Sequence, residues 1–576
     1  MTGSPLSTAS STSKVRPLDE AVREHVAPGM HLHFASTPSR ANAAIRAVCR
    51  VFRDRSPGFT LSSTGFHSTA HLLGRLRLGE RYLASFYGDN YPTPRSNPLY
   101  RRLLAEGVAL EHWSALSYTI ALRAGALGHP YGVTTSVLGS TLEDELAGDG
   151  RFTVVADPND PERRIGLVAA VRPDLTFVHV PAADAQGRVL AALPHSEGIW
   201  GALAARSGIV VTAERIVDEE QTARAPDAVM LPPHRVVAVC PAPFGAHPQP
   251  LFAPRGLDLP SYPDDFDAYR LLREVGVDDV GQAALVDEVL LRDDDGEAYA
   301  KHFDLAERAP NMASRQVHEP GRDSRAVEPT GSERLTVLAA RRIQQLVRAK
   351  GYPVILAGVG HSFFAARMAK LWLAQEGIDV EVNVETGMYG IDCGPVSGPF
   401  ILGLDVLSHA RRLTSIEDVL GAVTCGADNR CLGVIGAAQV DARGNLNSTR
   451  LDDGTLLVGS GGANDIASAA AEVMVLASCD ASRLVSAVPY ITSPGRGVRQ
   501  VVTEQGVLCR DADSPQWRIE DAFAPPAGTP NAGVERLRQV CPWPLSAQVP
   551  AAAAPLTPEE RQQLASLQNH PTPGST

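Results

Sequence analysis

A six-residue phrase occurs twice in this chain. Asp184-Ala-Gln-Gly-Arg-Val in the first half corresponds to Asp441-Ala-Arg-Gly-Asn-Leu in the second. Each follows an apolar run and reads as a turn of the Asp-x-x-Gly kind. Each half also opens alike: a short strand pattern, a turn of small residues, then apolar residues at helical spacing. These are residues 30–34, 35–39 and 41–52, and then residues 353–357, 358–362 and 363–375. One order of elements used twice predicts a duplicated architecture. Strand and helix patterns alternate throughout, at residues 175–180, 208–213 and 235–240 among others. The expected fold class is therefore α/β: two tandem related domains with mainly parallel sheets.

The chain has 576 residues, enough for two to four domains at about 150 residues each. A polar stretch rich in Ser and Thr opens it, and residues 1–17 are expected to be disordered. The first domain spans 18–300. An acidic run, Asp293-Asp294-Asp295, precedes residues 306–332, which have no sustained apolar period. Residues 301–334 are read as a linker, 335–545 as the second domain and 546–576 as a C-terminal tail.

Charge excludes one broad class. The formal net charge is -12 and no long basic run occurs, which argues against nucleic acid as a partner. No stretch is apolar enough to span a bilayer, so no membrane role is expected. The start lacks the apolar core of a signal peptide. The eight cysteines form no C-x-x-C pair and sit mostly in apolar runs, which fits buried thiols in a reduced, cytoplasmic protein. His31 and His33 alternate along one strand, but a metal site needs three or four ligands. No metal site is expected.

The chemistry concentrates in the second half. Residues 378–384 read as a strand that ends in Glu385, with Gly387 and Gly390 in the turn beyond. That places a carboxylate at the carboxyl end of a buried strand, where α/β sheets hold ligands. A second strand, residues 432–438, leads to Gln439. A third run ends in Gly459-Ser-Gly-Gly-Ala-Asn-Asp465, ahead of a helix expected at 466–477 and capped by Asn464 or Asp465. Glycines at a helix start leave main-chain N–H groups bare for a phosphate or a developing oxyanion. The Gly-Lys-Ser/Thr ending of a P-loop is missing. Gly358-Val-Gly-His-Ser imitates a dinucleotide turn, but Phe363 takes the place of its third glycine. In the first half, residues 82–98 form an aromatic, Pro-rich loop containing Asn90, a type of loop that often carries function. Glu111 precedes a helix at 115–126, where it either favours the helix dipole or lines a pocket.

Taken together, Glu385-Thr-Gly-Met-Tyr-Gly, Gly436-Ala-Ala-Gln and Gly459-Ser-Gly-Gly-Ala-Asn-Asp resemble the catalytic half of the family I CoA-transferases in order and approximate spacing. Thr492-Ser-Pro-Gly and Val501-Val-Thr-Glu-Gln-Gly-Val fit that family too. Ala242-Pro-Phe-Gly-Ala-His-Pro and Glu214-Arg-Ile-Val-Asp in the first half resemble the other, partner half of that family. Gly88-Asp-Asn-Tyr-Pro and Glu111-His-Trp-Ser resemble the glutaconate-type branch and a related CoA-thioester hydrolase of steroid-ring breakdown. The resemblance covers about residues 18–300 and 335–545. It departs at Ala35-Ser36, where the family usually has two glycines, and at Thr386, a variable position.

The resemblance implies two subunits fused in one CoA-transferase-like chain that assembles as a homodimer. CoA would be carried between an acyl-CoA and a carboxylic acid through a glutamyl-CoA thioester at Glu385. Coenzyme A would be a substrate, with no cofactor bound permanently. Gly461, Gly462, Ala463 and Gln439 would serve the oxyanion and CoA, and Ser36, Glu111 and Asn90 the acyl pocket. The alternative on the same fold is an acyl-CoA hydrolase, cleaving a thioester or opening a cyclic acyl-CoA at a C–C bond, with Glu111 as base. A non-catalytic CoA-binding protein is a further reading, since fold alone does not settle function.

Overall fold

In the eight-stranded sheet of the first half, the strands run across in the order Val236–Pro241, Gly208–Val217, Leu175–Asp184, His31–Phe34, Phe59–Ser62, Gly79–Ala84 and Ala109–His112. Every neighbouring pair in that row is parallel. The short strand Val189–Leu190 adds antiparallel to Leu175–Asp184. The computed structural model describes residues 13–292, 296–308, 328–394, 396, 400–512, 514–523, 531–546 and 551–568. The acidic run 293–295 and most of the expected linker, 309–327, lie outside the described residues.

Strand order locates the functional end of each sheet. The chain starts at His31–Phe34, fills one side of it through Ala109–His112, and then crosses to the other side at Leu175–Asp184. The second half repeats this, with Val354–Ala357 between Glu381–Asn383 and Cys431–Gly436. Its row continues through Glu472–Leu476 and Val498–Val502, still parallel, and then through antiparallel Gly506–Cys509 and Arg518–Phe523. In open sheets of this kind, ligands bind beyond the carboxyl ends of the strands where the direction of filling reverses.

Local sequence accounts for the main elements. Leu175–Asp184 is buried at every position, as a central parallel strand covered on both faces must be. Asn42–Phe52 buries Ile45, Val48, Cys49 and Phe52 along one helical stripe. Gly331–Lys350 begins with a Thr330–Glu333 capping box and ends at Gly351, whose φ of 66° suits glycine. It packs against His361–Gln375 in a shared core.

Three expectations change. The helix expected at 466–477 is two elements, helix Ala463–Ala469 and strand Glu472–Leu476. Alanines carry the helical period forward, but Glu-Val-Met-Val-Leu is buried at all five positions and belongs in the middle of the sheet. The tail expected at 546–576 contributes strand Ala551–Ala553 to the sheet edge. It also contributes helix Pro558–Gln568, whose Leu564 and Leu567 enter the second-half core. Of the disordered start expected at 1–17, residues 1–12 lie outside the described residues. Val15 bridges Val239 in extended conformation.

No described helix is long and apolar enough to cross a membrane. All eight cysteines are free thiols.

Candidate active site

The carboxyl ends of both sheets face one cavity of about 580 Å³, walled by Ser36, Thr64 and Ser85 from the first half and Gly358, Glu385 and Gly462 from the second. The glycine turn seals the two halves together. Tyr87 donates its N–H to the Val458 carbonyl at 2.8 Å, Gly461 to that of Ser85 at 3.0 Å, and Ala115 to that of Gly461 at 2.9 Å. Asn464 and Asp465 reach across as well. Asn464 Oδ1 accepts the Val137 N–H at 2.8 Å. Asp465 accepts the Ser114 hydroxyl at 2.6 Å and the Leu116 N–H at 3.1 Å. The expected cap is thus corrected. Gly462 is the N-cap, and Asn464 and Asp465 lie in the first turn, where Asn464 also donates to the Thr492 carbonyl at 2.8 Å within its own half.

Glu385 is held by a tight reversal. Val384 bridges Met388, and Gly387 has a φ of 105° with space for no side chain, since a Cβ there would meet the Thr414 carbonyl oxygen at 2.6 Å. The carboxylate lies against Gly462. A Cβ on Gly462 would sit 2.0 Å from Glu385 Oε2, and the Gly462 N–H donates to the carboxylate. The side chain is open to the cavity, but protein surrounds it. Burial, and then the charge of Asp465, push its carboxyl up to about 7, against the Gly462 hydrogen bond. A carboxylate poised near neutrality and partly stripped of water is a better nucleophile than one in bulk solvent.

The expected site residues divide. Ser36, Asn90, Gly461, Gly462 and Ala463 line the cavity with Glu385 and Thr386. The Ser36 hydroxyl is tied into the wall, 2.7 Å from Ser63 Oγ and accepting the Thr64 N–H at 3.1 Å. Of the three amides in the glycine turn, only that of Gly462 points at the carboxylate. The Gly461 N–H is taken by Ser85, and the Ala463 N–H by the Ser460 carbonyl at 3.0 Å.

Glu111 and Gln439 are not among the lining residues. Glu111 is buried on strand Ala109–His112, paired with Arg81 at 2.7 Å and Arg151 at 3.4 Å, and accepts the Trp113 indole N–H at 2.9 Å. It does not cap the helix either, because Ser114 and Ser117 form that capping box. Gln439 accepts from Asn447 at 2.8 Å and donates to the Ser482 carbonyl at 3.3 Å. Both expectations rest on the family resemblance of the motifs Glu111-His-Trp-Ser and Gly436-Ala-Ala-Gln. In a strand, neighbouring side chains point to opposite faces.

The cavity also holds side chains that no motif announced. Arg40, His67, Glu197 and Asp264 line it, with Phe400 and Leu402 supplying apolar wall. Burial pushes Asp264 up to about 7 against bonds from Tyr269 (2.7 Å) and the Leu404 N–H (3.0 Å). Burial holds His67 well below its ordinary value. His31 and His33 bond to Ser62, and His33 also to Tyr118. Among the described residues no three His, Cys, Asp or Glu side chains gather as metal ligands.

Known proteins resemble this chain in both halves. A family model described as Coenzyme A transferase matches residues 15–241. One of the two subunits of glutaconate CoA-transferase from Acidaminococcus fermentans is 30% identical over 203 residues, which are 31% of this chain and 72% of that protein. The chain belongs to the coenzyme A transferase family. The other glutaconate CoA-transferase polypeptide of the same organism is 25% identical over 287 residues, 45% of this chain and 86% of that one. A CoA-transferase chain of 576 residues thus matches two proteins that are named as separate subunits. Its fold is that of an acyl-CoA transferase from Escherichia coli O157:H7, with a TM-score of 0.63, 14% identity and 94% of each chain covered. CoA transfer is the activity of this chain.

Proposed function

We propose that Glu385 is the nucleophile of this transfer and carries CoA as a glutamyl thioester. The supporting observation is its carboxylate, set against the Gly462 amide in a cavity walled by both halves. The carboxylate attacks the acyl-CoA carbonyl and CoA leaves as thiolate, giving a mixed anhydride. The thiolate then attacks the glutamyl carbonyl, and the donor acid leaves as its carboxylate. An incoming carboxylate attacks the enzyme thioester and again releases CoA thiolate. Attack of that thiolate on the new acyl group frees Glu385. No proton and no water is consumed.

Gly462 supports both stages. Its N–H holds the resting carboxylate and stays beside the glutamyl oxygen, which carries charge in the two steps where the glutamyl carbonyl is attacked, by CoA thiolate on the anhydride and by the incoming acid on the thioester. Burial disfavours the free carboxylate and so favours its esterified form.

In this reading residues 18–300 act as the domain equivalent to one polypeptide of the two-subunit relatives. Residues 335–545 act as the catalytic domain, equivalent to the other, and the fused chain forms a homodimer in the cytoplasm. The relatives are named for glutaconate and 3-oxoadipate, both dicarboxylic acids, and we assign that substrate class here. The test is borohydride treatment with and without acyl-CoA, followed by mass spectrometry. The expected result is acyl-CoA-dependent inactivation, with reduction confined to residue 385. Full exchange by Glu385→Ala would overturn the assignment.

A further inference from the structure

Arg40 lines the cavity beside the reversal point of the first sheet, immediately ahead of helix Asn42–Phe52. Its Nη1 donates to the Gly65 carbonyl at 2.9 Å and reaches Ser63 Oγ at 3.5 Å. Among the described residues, Nε and Nη2 make no hydrogen bond and no carboxylate comes within ion-pair distance. Burial lowers its affinity for its proton, and the Glu197 charge acts on it from beyond that distance. Glu197 Oε1 accepts the Ser36 N–H at 2.9 Å, and its Oε2 is buried without a hydrogen-bond partner among the described residues. A guanidinium enclosed by protein without a paired anion is costly unless a ligand supplies one, and its open edge suits a carboxylate bound through two parallel N–H groups.

The position separates Arg40 from the chemistry. Arg40 is not among the charges that shift Glu385. A run of hydrogen bonds leads from Arg40 through Ser63, Ser36, Thr64 and Ser85 to Gly461, the neighbour of Gly462. Arg40 and Glu385 line the same cavity. We propose that Arg40 binds the second carboxylate of the substrate acid while the first reacts at Glu385, so that Arg40 sets the preference for dicarboxylic acids. This rests on the CoA-transfer reading above. The Arg40 carboxylate site can nevertheless be measured without turnover.

The experiment compares glutarate with valerate, and adipate with hexanoate, matched pairs in which a methyl replaces the second carboxylate. Calorimetry reads binding of each free acid, and mass spectrometry reads its conversion to the CoA ester. Wild type is expected to bind and convert the diacid of the better-fitting length in preference to its monoacid counterpart. Arg40→Met is expected to collapse the diacid-to-monoacid ratio by about 100-fold or more, and Arg40→Lys by less, since charge remains but the fork is lost. An unchanged ratio in Arg40→Met, or wild type that binds neither diacid better than its monoacid, overturns the proposal. Diacid binding that depends on Arg40 without any CoA exchange would sustain this site while removing the transfer mechanism.

Discussion

Asp465 Oδ1 accepts a 2.6 Å hydrogen bond from Ser114, joining the first turn of a second-half helix to the N-cap of a first-half helix. The same carboxylate takes the Leu116 N–H and raises the carboxyl of Glu385 by its charge. One residue thus helps join the halves and tunes the proposed nucleophile. Burial pushes Asp465 itself up to about 6.

Asp465→Asn tests the tuning. With the charge gone, Glu385 ionises at lower pH, so the acid limb of the kcat/KM profile shifts toward acid. It stops short of the ordinary carboxyl value, because burial is the larger cause and remains. Asparagine keeps one acceptor oxygen where Asp465 has two, so either the Ser114 hydroxyl or the Leu116 N–H loses its acceptor, which costs about 1–3 kcal/mol of stability. A profile that stays in place would exclude Asp465 as a determinant of Glu385.

Gly462→Ala separates catalysis from folding. The φ of Gly462 is -88°, which any residue adopts, so the backbone does not object. The added methyl meets Glu385 Oε2 and displaces the carboxylate from its amide. CoA exchange is expected to fall about 100- to 1000-fold, the usual loss for a misplaced oxyanion donor, with the melting temperature little changed. Exchange within a few-fold of wild type would mean that the amide is not used.

The sequence made the framework of the site legible where function and local pattern coincide. Glu385 at a strand tip and the glycine turn at 459–462 follow from strand and turn chemistry alone. The two strand-turn-helix openings follow in the same way. Side chains that depend on long-range packing were not legible. Glu111 and Gln439 belong to the resembling motifs but are not among the residues that line the cavity. Arg40 and Glu197 enter it from segments 157 residues apart in sequence that only the sheet order brings together. The helix at 466–477 failed because alanine fits a helix locally, while a central strand needs the β-branched run that follows.

Glu111→Gln distinguishes a structural carboxylate from a catalytic base. Glu111 pairs with Arg81 and Arg151 and anchors the Trp113 indole. Removing its charge takes the carboxylate from Arg151 and leaves Arg81 with Asp149 at 3.8 Å, so a stability loss of about 1–3 kcal/mol is expected. CoA exchange below the unfolding range is expected to persist, because the residue does not reach the cavity. Loss of exchange in a protein that melts like wild type would place Glu111 back in the chemistry.

Glu385→Gln tests whether the site is maintained against stability. The native carboxyl titrates at about 7, above its unfolded value of about 4.5. Between those values the folded chain keeps a proton that the unfolded chain releases, so native stability falls as pH rises through the window. Glutamine does not titrate and escapes this loss. The variant should therefore melt above wild type at about pH 8, where the penalty is complete, and match it near pH 4, where both states of the glutamate are protonated. Thermal scans of both proteins across that range read the difference. A gap that is constant with pH, or one that widens toward acid, would show that burial and Asp465 do not raise the Glu385 carboxyl.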